Sequence, residues 1–348
     1  MNRRLAALAA AFAAAVTLGL ASAHATAPGR NGRIAFERYR FSDKPLWAEI
    51  WVTNPDGTGE RRITHAPRGY LDRGPDWSPD SSRIAFNRCA PDDGRCTLWV
   101  VKPDGNDERM LSPSCRQGVS DPSSCPDDSF PAYSPDGHHL AFGRFDGAED
   151  SIVIADTNLR HPRQVFSFGH SRGAPDVGNP AWSPDGKRIA FVVSNANGTK
   201  YKPVNGIAIS IVNADGTGLH RLTPWKLRAG AGPEGIDWSP DGTRILFRTH
   251  PHAGTDAGGN LYTIRPDGSG LRQLTHFEPY DTAPGALRTG SYSPDGSSIL
   301  FATYHGAVTV SPSSSNLPDV FVMSADGTDV RPVTRARNWD GDPDWGPS

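Results

Sequence analysis

Residues 179–191 read Asn-Pro-Ala-Trp-Ser-Pro-Asp-Gly-Lys-Arg-Ile-Ala-Phe, and variants of this stretch recur at 74–86, 130–142, 235–247 and 289–301. Each copy places Trp or Tyr directly before Ser-Pro-Asp, and the same aromatic position returns near the C-terminus without the rest of the motif. The six anchoring aromatics are Trp77, Tyr133, Trp182, Trp238, Tyr292 and Trp345. They lie 56, 49, 56, 54 and 53 residues apart. A fixed period of this length predicts a repeat architecture.

Each repeat contains four short strand patterns separated by turn residues. The first strand ends at the aromatic and the second at Ile-Ala-Phe, while 98–101 is typical of the third and 272–275 of the fourth. The Ser-Pro-Asp-Gly between the first two strands suits a tight turn, because Pro fixes φ, Asp bonds to nearby backbone and Gly tolerates positive φ. Four antiparallel strands per unit predict an all-β fold, the blade of a β-propeller.

The two ends of the chain carry complementary parts of one repeat. Residues 32–36, Gly-Arg-Ile-Ala-Phe, begin at a second strand, whereas 342–345, Asp-Pro-Asp-Trp, form a first strand with nothing after it. Pairing the two would close the ring and remove exposed sheet edges. We therefore predict a six-bladed propeller over residues 32–348, closed by the C-terminal strand joining the N-terminal blade.

The repeat is similar to that of a known family. Pro-x-Trp-Ser-Pro-Asp-Gly-x-x-Ile-Ala-Phe, followed by a strand, Asp-Gly and Arg-x-Leu-Thr, resembles the PD40 (WD40-like) repeat of the TolB propeller and of the propellers of prolyl-oligopeptidase-like peptidases. The resemblance implies a six-bladed propeller over roughly residues 31–348. Since the repeats begin at Gly32, the chain is expected to lack the α/β domain that precedes the propeller in TolB.

The first 25 residues have the pattern of an export signal. Arg3 and Arg4 precede an Ala/Leu-rich apolar run, and small residues follow at Ala21-Ser-Ala23 and Ala23-His-Ala25. This pattern predicts cleavage after residue 23 or 25 and a protein in the periplasm, at the cell wall or outside the cell, with no membrane span after signal removal. A short tail, residues 26–31, is expected to contribute little to stability.

The charge balance excludes some partners. The formal net charge is −2 and becomes −4 without the signal, because two arginines and no acids are removed. A negative protein offers no electrostatic basis for binding nucleic acid. We expect a monomer whose partner is a protein or a peptide.

Four cysteines form two pairs that are close in sequence, Cys89 with Cys96 and Cys115 with Cys125. An oxidising compartment favours two local disulfides, because short loops are the easiest to close. Spacing alone permits three connectivities, and free thiols are the alternative.

Loop lengths place the functional face. In an up-and-down blade the first and third turns open on one rim, and the second turn and the inter-blade connection open on the other. The first set is short and repetitive, whereas the second includes 117–128, 167–178, 225–234 and 277–288 between blades and 195–204, 249–258 and 304–318 within them. Variable loops on a rigid scaffold usually carry binding, so we place the functional face on this long-loop rim.

Polar residues just ahead of the innermost strands are expected to ring the mouth of the central channel. Five acids and two arginines in this set favour a cationic ligand group or a metal ion, with a hydrated channel as the alternative. The predicted ligand-binding residues are Asp72, Arg73, Asp128, Asn179, Glu234, Arg288, Asp340 and Asp342.

Catalytic signals are weak. Residues 169–173, Gly-His-Ser-Arg-Gly, match the nucleophile motif of α/β-hydrolases but precede a propeller strand instead of a helix. Six histidines fall on the long-loop rim, although spacing cannot show that three or four side chains converge on one ion. They are His65, His170, His250, His252, His276 and His305. The candidate metal ligands are His250, His252, His276 and His305.

The repeat tryptophans share one strand position, so we expect them to pack between blades and leave only Trp225 and Trp339 for ligand contact. The sequence therefore predicts an exported, non-catalytic binding or scaffold propeller with no cofactor. The alternative is a propeller enzyme, a lyase or hydrolase acting on a saccharide or lactone with a divalent metal.

Overall fold

The computed structural model describes residues 24–40, 46–91, 94–112, 126–169, 177–195, 206–225, 233–249, 259–277, 287–304, 317–335 and 338–348. All regular structure in these ranges is β. Within them, no helix has the length and apolar character needed to cross a membrane.

The described residues form twenty-five strands, and apart from the first these follow the predicted order of four per repeat. In chain order the strands are β1 (His24–Ala25), β2 (Asn31–Arg40), β3 (Trp47–Thr53), β4 (Arg61–Arg62), β5 (Leu71–Trp77), β6 (Ile84–Cys89), β7 (Cys96–Val101), β8 (Arg109–Met110), β9 (Asp127–Tyr133), β10 (His139–Phe145), β11 (Glu149–Asp156), β12 (Arg163–Gly169), β13 (Val177–Trp182), β14 (Arg188–Asn195), β15 (Gly206–Asn213), β16 (His220–Arg221), β17 (Pro233–Trp238), β18 (Ile245–Thr249), β19 (Asn260–Ile264), β20 (Arg272–Gln273), β21 (Arg288–Tyr292), β22 (Ser298–Tyr304), β23 (Pro318–Ser324), β24 (Arg331–Pro332) and β25 (Trp339–Pro347).

The strands pair into six antiparallel blades of four, each written here from its innermost strand outward. Blade 1 is β25-β2-β3-β4, and it is followed by blade 2 (β5-β6-β7-β8), blade 3 (β9-β10-β11-β12), blade 4 (β13-β14-β15-β16), blade 5 (β17-β18-β19-β20) and blade 6 (β21-β22-β23-β24). The molecule is a six-bladed β-propeller, as predicted.

Blade 1 closes the ring. The C-terminal β25 pairs antiparallel with the N-terminal β2, so that Trp345 stands opposite Ile34 and Trp339 opposite Tyr39. Every residue of β25 is buried. The predicted closure is confirmed, and it gives β2 a paired strand on both sides.

Six apolar clusters hold neighbouring blades together. Trp238, for example, packs with Ala190, Ile209 and Ile211 of blade 4, and Trp345 packs with Leu300 of blade 6. Each cluster receives the anchoring aromatic of one blade and apolar side chains of the blade before it, namely Trp238, Trp182, Tyr133, Tyr292, Trp77 and Trp345 in turn. All six aromatics are at most 5% exposed, so the core is repeated at each interface between blades.

A second set of inter-blade contacts is polar. The residue before the aromatic accepts a hydrogen bond from the backbone N–H of the next blade's aromatic. The pairs are Asp344 with Trp77 (2.8 Å), Asp76 with Tyr133 (2.7 Å), Asp237 with Tyr292 (2.7 Å) and Ser291 with Trp345 (2.8 Å). Blades 3 and 4 have Ala132 and Ala181 at this position and lack the contact.

The Ser-Pro-Asp-Gly segments form tight turns as expected. In blade 4, Gly186 N–H donates to the Ser183 carbonyl (2.8 Å) and Lys187 N–H donates to the Asp185 carboxylate (3.1 Å). Gly186 has φ of +68°, where an L side chain would be strained. These acids therefore act as turn formers.

One predicted disulfide is present, joining Cys89 and Cys96 across β6 and β7. The other predicted pair, Cys115 and Cys125, lies outside the described residues. The expectation for the tail needs correction, because Thr26 is only 4% exposed and bonds to blade 5.

Candidate functional site

The innermost strands share a backbone irregularity that shapes the channel. Their pairing with the second strand shifts register ahead of the aromatic. Three residues before the aromatic, five blades adopt positive φ, at Gly74 (56°), Phe130 (55°), Asn179 (54°), Gly235 (57°) and Asp342 (40°). Such bulges bend a strand and redirect its side chains. Asn179 and Asp342 are the polar members, on opposite blades 4 and 1.

Asp342 belongs to a buried charged cluster at the junction of blades 6, 1 and 2. Glu37 of β2 is fully buried near Asp342, which is 1% exposed. The Glu37 carboxylate lies 3.7 Å from Nε of Arg73 and accepts a long hydrogen bond (3.4 Å) from Gly74 N–H. Arg288 of blade 6, 3% exposed, is the second cation of the cluster. We call these four charged residues the channel cluster.

Burial has the largest effect on the pKa of Glu37 in the channel cluster. Burial and the nearby Asp342 together raise the pKa of Glu37 to about 8, while Arg73 and Arg288 oppose the change. Burial also raises the pKa of the Tyr39 hydroxyl, which hydrogen-bonds Arg73. Near neutral pH the Glu37 carboxyl therefore keeps its proton, as expected for a buried acid beside another carboxylate.

Aromatic side chains flank the cluster. Tyr39 and Trp339 meet edge to face with ring centroids 4.5 Å apart, and the Arg288 guanidinium lies 5.6 Å from the Trp339 ring centroid. Trp339 is 2% exposed, so its ring is part of the packed junction. Trp225 is half-buried, and the Arg221 guanidinium lies 5.2 Å from its ring centroid.

Three of the predicted ligand-binding acids are instead engaged inside their own blades. Asp72, Asp128 and Asp340 are at most 1% exposed. Each accepts two hydrogen bonds from an arginine of its second strand, at 2.5 to 2.8 Å, in the pairs Asp72–Arg88, Asp128–Arg144 and Asp340–Arg38. Burial raises the pKa of all three carboxyls, while bonds from the arginines lower it.

The ion pairs change the expected charge of the channel. Three of the predicted acids are each paired with an arginine, and Asp342 lies with Glu37 beside Arg73 and Arg288. The count of five acids against two arginines therefore does not describe the folded mouth, because its neutralising arginines lie one strand farther out. This removes the electrostatic argument for a cationic ligand. Glu234 is placed on β17 opposite Arg248.

Asn179 differs from the other polar channel residues. It is fully buried on β13, and neither its amide oxygen nor its amide nitrogen has a hydrogen-bond partner among the described residues. Buried polar atoms are normally paired, so an unpaired amide on an innermost strand points to a ligand or a water. Of the predicted site residues, the structure thus brings together Arg73, Arg288 and Asp342 and places Asn179 across the ring.

The sequence missed Glu37 and Tyr39. Both lie on a second strand, after the Ile-Ala-Phe that was assigned to the scaffold. The signal in the sequence was that blade 1 alone has an acid at this position, where the other blades have Asn87, Gly143, Val192, Arg248 and Ala302.

The histidine hypothesis is mostly untested. His65 and His276 are exposed, while His170, His250, His252 and His305 lie outside the described residues. In the described ranges, no three His, Cys, Asp or Glu side chains are grouped closely enough to hold a metal. Of 169–173, only Gly169 is described, at the end of β12.

Two cavities, of about 250 and 440 Å³, lie away from the channel cluster. Both are on the short-turn rim, the side formed by the Ser-Pro-Asp-Gly turns, between blades 5 and 6 and between blades 3 and 4. Their linings correspond residue by residue, as with Asp241 and Asp136 or Arg272 and Arg163. We attribute these grooves to the repeat itself.

Known proteins give a consistent comparison. No protein-family model matches the chain. Tol-Pal system protein TolB of Zymomonas mobilis is 39% identical over 74 residues, which are 21% of this chain and only 15% of that protein. TolB from Acinetobacter baumannii superposes with a TM-score of 0.64 at 19% identity, covering 91% of this chain and 67% of that one. A putative TolB from Agrobacterium tumefaciens gives 0.55 at 19% identity, covering 89% and 91%. The fold of this chain is that of the TolB propellers.

The raised pKa of Glu37 predicts a pH-dependent stability. Between about pH 4.5 and 8 the unfolded chain releases this proton while the folded protein keeps it, so stability contributed by Glu37 falls as pH rises. Glu37→Gln removes the effect. Chemical denaturation at pH 5 and 8 should show the wild type losing at least about 1.4 kcal/mol relative to E37Q, the value of one pKa unit. Asp215→Asn, at an exposed turn where hydrogen bonds lower the Asp215 pKa, is the control and should leave the pH dependence unchanged. Parallel curves for wild type and E37Q would contradict the assignment.

Proposed function

We propose that this chain is an exported binding propeller that recognises a protein or peptide partner through its long-loop rim and channel, without catalysing a reaction. The observation that carries the proposal is the set of buried polar side chains on the innermost strands. Asn179 offers an amide that has no hydrogen-bond partner among the described residues, and the channel cluster offers polar and charged groups held by three blades. A partner side chain entering the channel would find both hydrogen-bond donors and acceptors there.

The comparisons support the class of this function. The matched relatives are named for the Tol-Pal system, which favours an envelope location and a protein partner. The local match covers 15% of the first relative, so the identity of the partner is not carried over. The long loops between blades supply the variable surface, and the rigid ring holds them in place.

Asn179→Gly tests the channel site with little change to the scaffold. Glycine already occupies this position in blades 2 and 5 and tolerates the φ of +54°. Partner recovery by cross-linking and mass spectrometry from the native envelope should fall about tenfold, equivalent to about 1.4 kcal/mol. Asn213→Ala, an amide removed beside a short turn, should recover the partner like the wild type.

Two outcomes would count against this function. Unchanged recovery with N179G and with Asp342→Asn would move the binding site away from the channel. A stoichiometric transition metal in the purified protein, lost when His250 and His252 are replaced, would favour the enzymatic alternative.

A further inference from the structure

The segment ahead of blade 1 lies inside the ring. Strand β1 pairs in parallel with β17, the innermost strand of blade 5, so that His24 stands opposite Asp237 and Ala25 opposite Trp238. It also lies close to β9, β13 and β21, the innermost strands of blades 3, 4 and 6. A strand near four innermost strands at once must lie toward the channel axis.

Thr26 fixes this segment to blades 5 and 6. Its backbone N–H donates to one Asp237 carboxylate oxygen (3.2 Å), and its hydroxyl lies 2.8 Å from the other oxygen and 3.1 Å from the Tyr292 carbonyl. Asp237 is fully buried. Farther along, Gly29 N–H donates to the Pro294 carbonyl (3.0 Å).

Asp237 has a close equivalent in blade 2. Asp76 and Asp237 both accept a 2.7 Å hydrogen bond from the next blade's aromatic N–H. Asp237 additionally accepts the two bonds from Thr26. The Asp237 carboxylate therefore makes the inter-blade contact of the repeat and also binds Thr26.

We propose that export processing cleaves the Ala25–Thr26 bond and that Asp237 binds the resulting α-ammonium group of Thr26. Hydrolysis by an export protease adds one water, leaving a carboxylate on Ala25 and an ammonium on Thr26. The small residues Ala23 and Ala25 meet the requirement of such a protease. The new positive charge then forms a charge-assisted hydrogen bond with a buried carboxylate, which is stronger than the neutral N–H contact.

The proposal rests on the export signal and is independent of any binding partner. It selects one of the two predicted cleavage points, because only a chain that starts at Thr26 places its ammonium on Asp237. The mature terminus then becomes a link between blades 5 and 6.

The test uses exported protein purified from its native envelope. Mass spectrometry should find Thr26 as the first residue. Native labelling with an amine-reactive ester at pH 7 should modify the α-amine at least about tenfold more slowly in the wild type than in Asp237→Asn, since one pKa unit changes the reactive fraction tenfold. Asp76→Asn loses the matched carboxylate without the Thr26 contact and should label like the wild type.

A second variant covers the case in which D237N does not fold. Inserting one glycine before Thr26 moves the ammonium away from an intact Asp237, and the new α-amine should label as quickly as that of D237N. A mature protein that starts at His24 or keeps the signal would overturn the proposal. Equal labelling of wild type, D237N and the glycine insertion would also overturn it.

Discussion

Deletion of residues 342–348 is expected to cost at least about 3–5 kcal/mol and to convert the monomer into associating species. Removal of a large buried aromatic alone costs about that much, and Trp345 is 3% exposed within the cluster between blades 6 and 1. The deletion also removes Asp344, which accepts the Trp77 N–H, and exposes much of β2 as a free edge. A typical domain has a net stability of about 5–15 kcal/mol, so the loss is a large part of it.

Thermal melting and size-exclusion chromatography measure both effects. Deletion of Ser348 alone is the control, because this residue is exposed and lies beyond β25. Trp345→Ala should reproduce most of the stability loss while retaining more of the strand pairing, and hence associate less. A deletion of 342–348 that melts like the wild type and stays monomeric would show that closure contributes little.

Arg88→Ala is expected to destabilise the protein by about 3–5 kcal/mol, the usual cost of removing one partner from a buried ion pair. Arg88 makes two hydrogen bonds to Asp72, which is fully buried, and a third to Glu108 (2.6 Å). Its guanidinium also lies 4.3 Å from the Trp99 ring centroid. Arg83→Ala is the matched control, since the Arg83–Asp107 pair is partly exposed and such pairs contribute about 0–1 kcal/mol.

Blade 4 suggests a double substitution that should restore the stability lost in Arg88→Ala. Blade 4 has Val177 opposite Val193 where blade 2 has Asp72 opposite Arg88. The double substitution Asp72→Val with Arg88→Val should therefore recover most of the stability, because two apolar side chains leave no buried charge. Urea denaturation of both single variants and the double variant gives the coupling energy. Additive losses would show that the two side chains act independently.

The ring closure could be predicted from the repeat in the sequence. Residues 32–36 and 342–345 are complementary fragments of one motif, and β2 and β25 pair accordingly. The burial of the anchoring aromatics between blades could also be predicted, because a residue at the same position of every repeat has the same environment each time. The Cys89–Cys96 disulfide followed from short loop length. All three are properties of local pattern and period.

The partners of the channel side chains were harder to predict from the sequence. Asp72, Asp128 and Asp340 were assigned to the mouth, and each is held by an arginine of the neighbouring strand. Sequence reasoning also treated the tail as dispensable, although Thr26 is bonded to a residue 211 positions away. In both cases the partners are separated in sequence, and only strand pairing or ring closure brings them together.

The sequence by itself determined the blade count, the turn chemistry, the inter-blade aromatics and the closing strand, because these features depend on periodicity and local backbone preference. The tertiary structure alone decided which charges are paired, that burial raises the pKa of Glu37, that Asn179 has no hydrogen-bond partner among the described residues and that Thr26 contacts Asp237. The physical reason is that charge pairing and burial depend on distances between strands of different blades, which a one-dimensional period does not contain.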